Sequence, residues 1–276
     1  STLFPYTTLF RSMRTPLLAL ALLLAGCAAS TPKGAPVTAP PSASLSDAEQ
    51  KLAQAEADLA KHPKDPNSWI WKGRRQGYLG RYDDAIATFT EGLRRFPTEA
   101  RFLRHRGHRW ISKREFAKAE ADLARAWRLD SGREDEIEPD GLPNAANVPT
   151  STTKGNIGYH WGLALYLQGK YGEAAEVYRK TLPFARHPDM EVAVRYWWTL
   201  ALRQAGRRSE EADLSEEAKR AMAFAASEPL LESFAYERLL MVMRGELKEE
   251  VLLAQARADR SGLDFSTLRF HSHHEW

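Results

Sequence analysis

The side chains of this 276-residue chain that could do chemistry fall in a few places. Cys27 is the only cysteine, so neither an intrachain disulfide nor a thiolate-rich zinc or iron–sulfur site can form. His271, His273 and His274 stand close enough to share zinc, copper or nickel, for which imidazole is a ligand. The flanking residues offer no hydrogen-bonding frame to orient them, and no metal is expected there. His105 and His108 lie three apart, but Arg104, Arg106 and Arg109 surround them and repel a cation. The acidic run Glu134, Asp135, Glu136, Glu138 and Asp140 lacks the spaced oxygens and glycine of a calcium loop, so a solvated run of charge is expected. The chain carries no glycine-rich phosphate loop, nucleophile elbow or metalloprotease helix. Neither an enzyme nor a cofactor is expected; the alternative is an enzyme, or a small-ligand or metal-binding protein, that uses the stretch 131–154.

With 39 Lys and Arg against 36 Asp and Glu, the formal charge is +3 and the two signs are interspersed. That argues against nucleic acid as a partner. Residues 1–12 precede the first methionine, do not fit the pattern that begins at Met13 and read as translated upstream sequence. From Met13 the order is basic Arg14, an apolar run Leu17–Leu24, then Leu24-Ala25-Gly26-Cys27. The apolar run is well short of the roughly 20 residues that cross a bilayer, and it reads as an export signal over 13–26. Leu24-Ala25-Gly26-Cys27 resembles the lipobox of bacterial lipoproteins. The resemblance implies cleavage before Cys27, lipid attachment to its sulfur and, with Ala28 rather than aspartate next, an outer-membrane location facing the periplasm. Two or three acyl chains anchor stably where one would be reversible. Residues 27–46 hold Pro32, Pro36, Pro40 and Pro41 among small residues and read as a disordered tether.

Ser46-Asp47-Ala48-Glu49 has the pattern of a capping box, and Leu52, Ala55 and Leu59 share one face of the helix that it should open. At a lag of 34 residues, Pro63 matches Pro97, Gly73 matches Gly107, Tyr82 matches Phe116, Ala85 matches Ala119, Phe89 matches Leu123 and Gly92 matches Ala126. The pattern returns at Gly162, Gly169, Tyr171, Ala174 and Tyr178. Such a period signals a repeat array. The pattern resembles the tetratricopeptide repeat (TPR), which implies an all-α solenoid, a right-handed superhelix of antiparallel helix pairs, with some ten or eleven helices over 47–260. Small residues at Gly73, Gly107 and Gly162 should let paired helices approach, and Gly80 and Gly169 should turn the chain in the left-handed region. Phe89, Leu123 and Tyr178 should pack into the neighbouring pair. Three repeats are expected at Pro66–Pro97, Ala100–Asp130 and Gly155–Leu182, and two looser pairs at Val192–Ala212 and Phe234–Ala258. The tryptophans at helical spacing read as core, Trp71 as surface.

Gly107 and Gly162 are 55 apart, which is 34 plus 21, so an insertion occupies 131–154. Leu142 and Val148 suggest that it packs down as an ordered loop. Residues 261–276 end without a polar capping helix and read as an irregular tail, truncated or frame-shifted. In the TPR family, partner peptides lie on the first helices of successive pairs. Counting from the matched glycines puts Arg74, Tyr78, Arg101, Arg104 and His108 on that face, with Tyr159 and Tyr166 from the third repeat. Arginine forks and phenol rings suit an acidic peptide or a free carboxyl terminus. The expected partner is an envelope protein or peptide held by a scaffold.

Overall fold

The computed structural model describes residues 46–252 and 254, except 142, 145, 208, 212–229 and 232. The signal, Cys27, the tether, Leu142, the second helix of the fourth pair beyond 211 and the histidine tail lie outside the described residues.

Helix α1 (Asp47–Lys61) opens on the capping box, with Ser46 Oγ accepting from Glu49 N–H and the Glu49 carboxylate accepting from Ser46 N–H at 2.8 Å. Then come α2 (Pro66–Tyr78), α3 (Tyr82–Arg95), α4 (Ala100–Ser112), α5 (Phe116–Asp130), α6 (Thr153–Leu167), α7 (Tyr171–Thr181), a 3-10 turn at Leu182–Phe184, α8 (Pro188–Gln204) and α9 (Phe234–Met243). Proline at the first position of α2 and of α8 uses a site where a missing N–H is harmless. The turn after α2 runs through Gly80 at φ +71° and the turn after α6 through Gly169 at φ +77°. Arg114 stands at φ +62° in the corresponding turn after α4. Left-handed backbone costs a residue with a Cβ about 1 kcal/mol or more, so packing on both sides of that turn overrides local preference.

From α1 to α8 each helix packs on the next in sequence, and α2, α4, α6 and α8 also touch one another in order. These four form the inner wall, and α3, α5 and α7 lie outside it. Apolar side chains fill the interlayer, with Phe89, Phe102, Leu103, Leu123, Ile157, Leu163, Tyr178 and Leu202 each at most 2% exposed. The repeat glycines face these side chains within their own pairs. A Cβ on Gly107 would fall 2.6 Å from Leu123, one on Gly162 2.5 Å from Tyr178, and one on Gly73 would meet the Phe89 ring. Phe89 also stacks on His105 of the next pair at 5.6 Å. Among the described residues the tryptophans are half-buried, most of them at the edges of the core clusters, and Trp71 lies under two guanidinium groups rather than open to water.

Two boundaries differ from the sequence reading. Helix α8 begins at Pro188 instead of Val192, because His187 caps it by accepting from Asp189 N–H at 3.3 Å. Helix α6 begins at Thr153, where Thr152 Oγ1 accepts from Gly155 N–H, so the insertion closes at 152. The insertion returns on itself as a short antiparallel pairing, Glu138 N–H donating to Ser151 O at 3.0 Å and Thr153 N–H to Glu136 O at 2.8 Å. Among its described residues apolar packing does not hold it: Val148 is 42% exposed and Ile137 65%. Instead Asp135 and Glu138 are buried, at 8% and 4% exposure, which corrects the expectation of a solvated acidic run.

The chain divides into two compact units, of which one spans Ser44–Leu240. The described residues of the other, from Met241, finish α9, turn at Gly245 and are helical again at 249–252. Among the described residues, no helix is long and apolar enough to cross a membrane.

Candidate functional site

The inner wall collects positive charge from two consecutive helices. On α2, Trp71 lies beneath the guanidinium groups of Arg74 and Arg75, at 4.5 and 4.9 Å from the ring centroid, and Arg74 Nε donates to Tyr78 Oη at 3.2 Å. On α4, Arg101 forks onto Glu99 at 2.8 and 2.9 Å and reaches back 34 residues to Asn67 Oδ1 at 2.8 Å. The hydrogen bonds to Glu99 hold the Arg101 guanidinium above its ordinary pKa, against the pull of burial.

One turn further, Arg104 is 7% exposed. Its Nη2 meets Glu138 Oε1 of the insertion at 2.9 Å, and its Nη1 donates to His105 Nδ1 at 3.0 Å. Guanidinium has only donors, so His105 must accept at Nδ1 and is neutral. Burial and then the charges of Arg104, Arg74, Arg109 and Arg101 hold the His105 pKa well below its ordinary value. A histidine kept neutral in the native state and free to take a proton when unfolded makes stability fall as pH drops below about 6.5. Urea unfolding between pH 7.0 and 5.5 should show a slope of about 1 kcal/mol per pH unit that His105→Gln removes; an unchanged slope in that variant would show that His105 is not its source.

The insertion reaches the same wall three residues beyond Glu138. Arg75 Nη1 donates to the Gly141 carbonyl at 2.7 Å, and burial pulls its guanidinium below the ordinary pKa. Any Cβ at Gly141 would collide with Tyr78 Oη. At the start of the insertion, Asp135 Oδ1 accepts from Lys154 N–H at 3.0 Å, and a cleft of about 340 Å³ opens between Arg101 and Arg133 on one hand and Glu99, Asp130, Glu134 and Glu136 on the other. Burial raises the Asp130 carboxyl there, opposed by Lys154 and Arg133.

The structure therefore brings Arg74, Tyr78, Arg101 and Arg104 together, but not as an open wall, since the chain's own acidic segment lies on Arg104 and against Tyr78. His108 sits beyond them, its ring 4.3 Å from that of His160. Tyr159 is a core residue, 2% exposed, whose hydroxyl pairs with Tyr236 Oη at 3.0 Å and accepts from Trp197 Nε1 at 3.1 Å. Tyr166 stands with it in this aromatic cluster, edge-on to Trp197 and Tyr171, its hydroxyl pushed up to about 12 by burial. Helical counting placed both tyrosines on the inner face without showing that α8 and α9 would cover it. Arg75 and Glu138 are the residues that counting missed; the signal was the opposite charge of 134–140 and the α2–α4 arginines. Among the described residues, no group of three or more side chains could hold a metal ion.

Helix pairs at a 34-residue spacing, a glycine of the first helix against a large side chain of the second, and a continuous inner wall decide the architecture. The fold is a TPR-type α-solenoid. Among solved structures, that of MamA protein superposes with a TM-score of 0.50 at 19% identity, covering 67% of this chain and 87% of that one. TPR-like repeats of a kinesin light chain from Podosopora anserina superpose at 0.49 with 13% identity, covering 66% and 89%. YrrB, a TPR protein with an unusual peptide-binding site, superposes at 0.46 with 12% identity, covering 81% and 96%. No protein-family profile and no curated protein matches the chain.

Proposed function

We propose that this TPR chain is a non-enzymatic scaffold of the bacterial envelope that binds an acidic segment of a protein partner on its inner wall. The observation that carries this reading is the convergence of Arg74, Arg75, Arg101 and Arg104 from two adjacent helices, with Trp71 and Tyr78 beside them. Converging guanidinium groups in a concave wall attract carboxylates more strongly than isolated surface cations do. Lipid on Cys27 would hold the scaffold at the periplasmic face of the outer membrane, a reading supported by Leu24-Ala25-Gly26-Cys27 and Ala28. The chain's interspersed charges argue against nucleic acid as the main partner.

A pull-down with the lipidated chain expressed from Met13 in a Gram-negative host tests both halves. The protein should fractionate with membranes, and Cys27→Ser should leave unprocessed precursor in its place. The wild-type chain should recover a stoichiometric protein partner. Arg74→Ala with Arg101→Ala should weaken that capture roughly tenfold, as loss of a charge-assisted contact does, while the outward pair Arg94→Ala with Arg95→Ala should leave it unchanged. Arg104 is left intact in this comparison, because its ion pair with Glu138 makes it part of the fold. Equal silence of the inner and outer pairs would move the partner off this wall.

A further inference from the structure

We propose that residues 134–141 are an intramolecular ligand of the inner wall, standing in for an extended acidic partner segment in which a glutamate precedes a glycine by three residues. The proposal rests on the scaffold reading above and names the ligand that wall selects.

The segment is oriented as a ligand is, not as a core loop is. It buries Glu138 and Gly141 against α2 and α4 and turns Ile137 outward, the reverse of hydrophobic burial. Its two anchors are the groups a bound peptide would offer. The Glu138 carboxylate meets Arg104, and the Gly141 carbonyl meets Arg75, with Tyr78 Oη standing where a Cβ at that position would go. One anchor reads charge and the other reads the absence of a Cβ, so together they define Glu-x-x-Gly.

The internal fit is also incomplete. Glu138 engages Arg104 through Oε1 alone, and Glu138 Oε2 and Arg104 Nε are buried without a hydrogen-bond partner. A carboxylate free to approach the guanidinium side-on would place both oxygens on two N–H groups, the geometry that makes such pairs strong. An incoming segment can therefore better the contact that it replaces. The connection is far longer than the fold needs: α3 and α4 are joined by four residues, 96–99, whereas α5 and α6 are joined by 131–152. Lengthening a loop costs little, so the released insertion can stand clear while the wall is occupied. Tethered beside its own site at high effective concentration, the insertion acts as a competitor that a partner must displace.

The test measures fluorescence anisotropy of a labelled synthetic peptide, Arg-Glu-Asp-Glu-Ile-Glu-Pro-Asp-Gly, the sequence of residues 133–141. It is titrated with the full chain and with a full-length variant whose residues 134–141 are replaced by a Gly/Ser spacer of equal length. The spacer variant should bind at least tenfold more tightly than the wild type. Peptides with Gln at the position of Glu138, or Ala at that of Gly141, should lose at least tenfold. If the spacer variant loses its helical circular dichroism, Glu138→Gln in the chain substitutes for it, and an unchanged affinity in that variant overturns the proposal. Equal binding by wild type and spacer variant, weakened in both by Arg101→Ala, would overturn the internal ligand and leave the scaffold reading standing. No binding by either protein would overturn both. A wild-type dimer by light scattering that dissociates in the spacer variant would assign the segment to a second copy of the chain and also overturn the proposal.

Discussion

Tyr178→Ala is expected to lower the unfolding free energy by about 3–5 kcal/mol, the range for deleting a large aromatic side chain from a packed core. Tyr178→Phe is expected to raise it by about 0.5–1 kcal/mol. Tyr178 is fully buried at the junction of α6, α7 and α8, its ring against Gly162 and in one cluster with Val194, Leu202 and Tyr159. Alanine would leave a void where the ring packs on Gly162, and the close-packed surroundings relax only partly to fill it. The hydroxyl is the opposite case. It is buried without a hydrogen-bond partner, and burial drives its pKa well above the ordinary phenol value, so removing it relieves desolvation and leaves the ring in place. Urea unfolding followed by circular dichroism at 222 nm measures both variants. A Phe variant as unstable as the Ala variant would mean that the hydroxyl is bonded and the ring contributes little.

The second large effect is expected at the ion pair between α4 and the insertion. Arg104→Met and Glu138→Leu should each cost about 3 kcal/mol, the lower end of the range for orphaning a buried charge. The lower end applies because the insertion lies at the surface and can lift to let water reach the remaining partner. The double substitution should return to within about 1 kcal/mol of the wild type, since an apolar pair of similar volume leaves no buried charge. A double-mutant cycle reads the coupling, and additive single effects would show that the two groups do not interact. The outcome also separates Arg104 from its neighbours. Counted onto a partner-binding face, Arg104 is instead a buried residue: its side chain is 8% exposed and that of Glu138 5%.

Much of the local architecture was legible because its determinants lie close together in the chain. The capping box at Ser46–Glu49, the left-handed turns at Gly80 and Gly169, and the small residues at Gly73, Gly107 and Gly162 each act over fewer than 20 residues. A small residue in one helix and a large one in the next identify each other at a fixed spacing, and the spacing then repeats. Phe89 was only half legible. Its contact with Gly73 is within the pair and its stacking on His105 is between pairs, and periodicity does not separate the two.

The departures have a common cause. Tyr159 counts onto the inner face of α6, yet the contacts that bury it come from Trp197 and Tyr236, 38 and 77 residues away. The start of α8 depended on His187 turning to cap it, and Arg114 occupies a left-handed turn that its residue type disfavours. Acids at 134–140 resemble any solvated charged run until the partners that neutralise them are known. The signs on the two segments were visible, but which acid would be buried was not.

By itself, then, the sequence determined the all-α class, the helix-pair repeat and the place of the insertion, since these arise from short-range packing that recurs every 34 residues. Only the tertiary structure decided what the insertion does. Glu138 meets Arg104 across 34 positions and Gly141 meets Arg75 across 66, in a chain segment with no periodicity of its own. A charge shows the sign of its partner but not its address. Which carboxylate goes under and which stays in water is settled by backbone reach and by the space left at Tyr78, and these exist only once α2 and α4 are stacked.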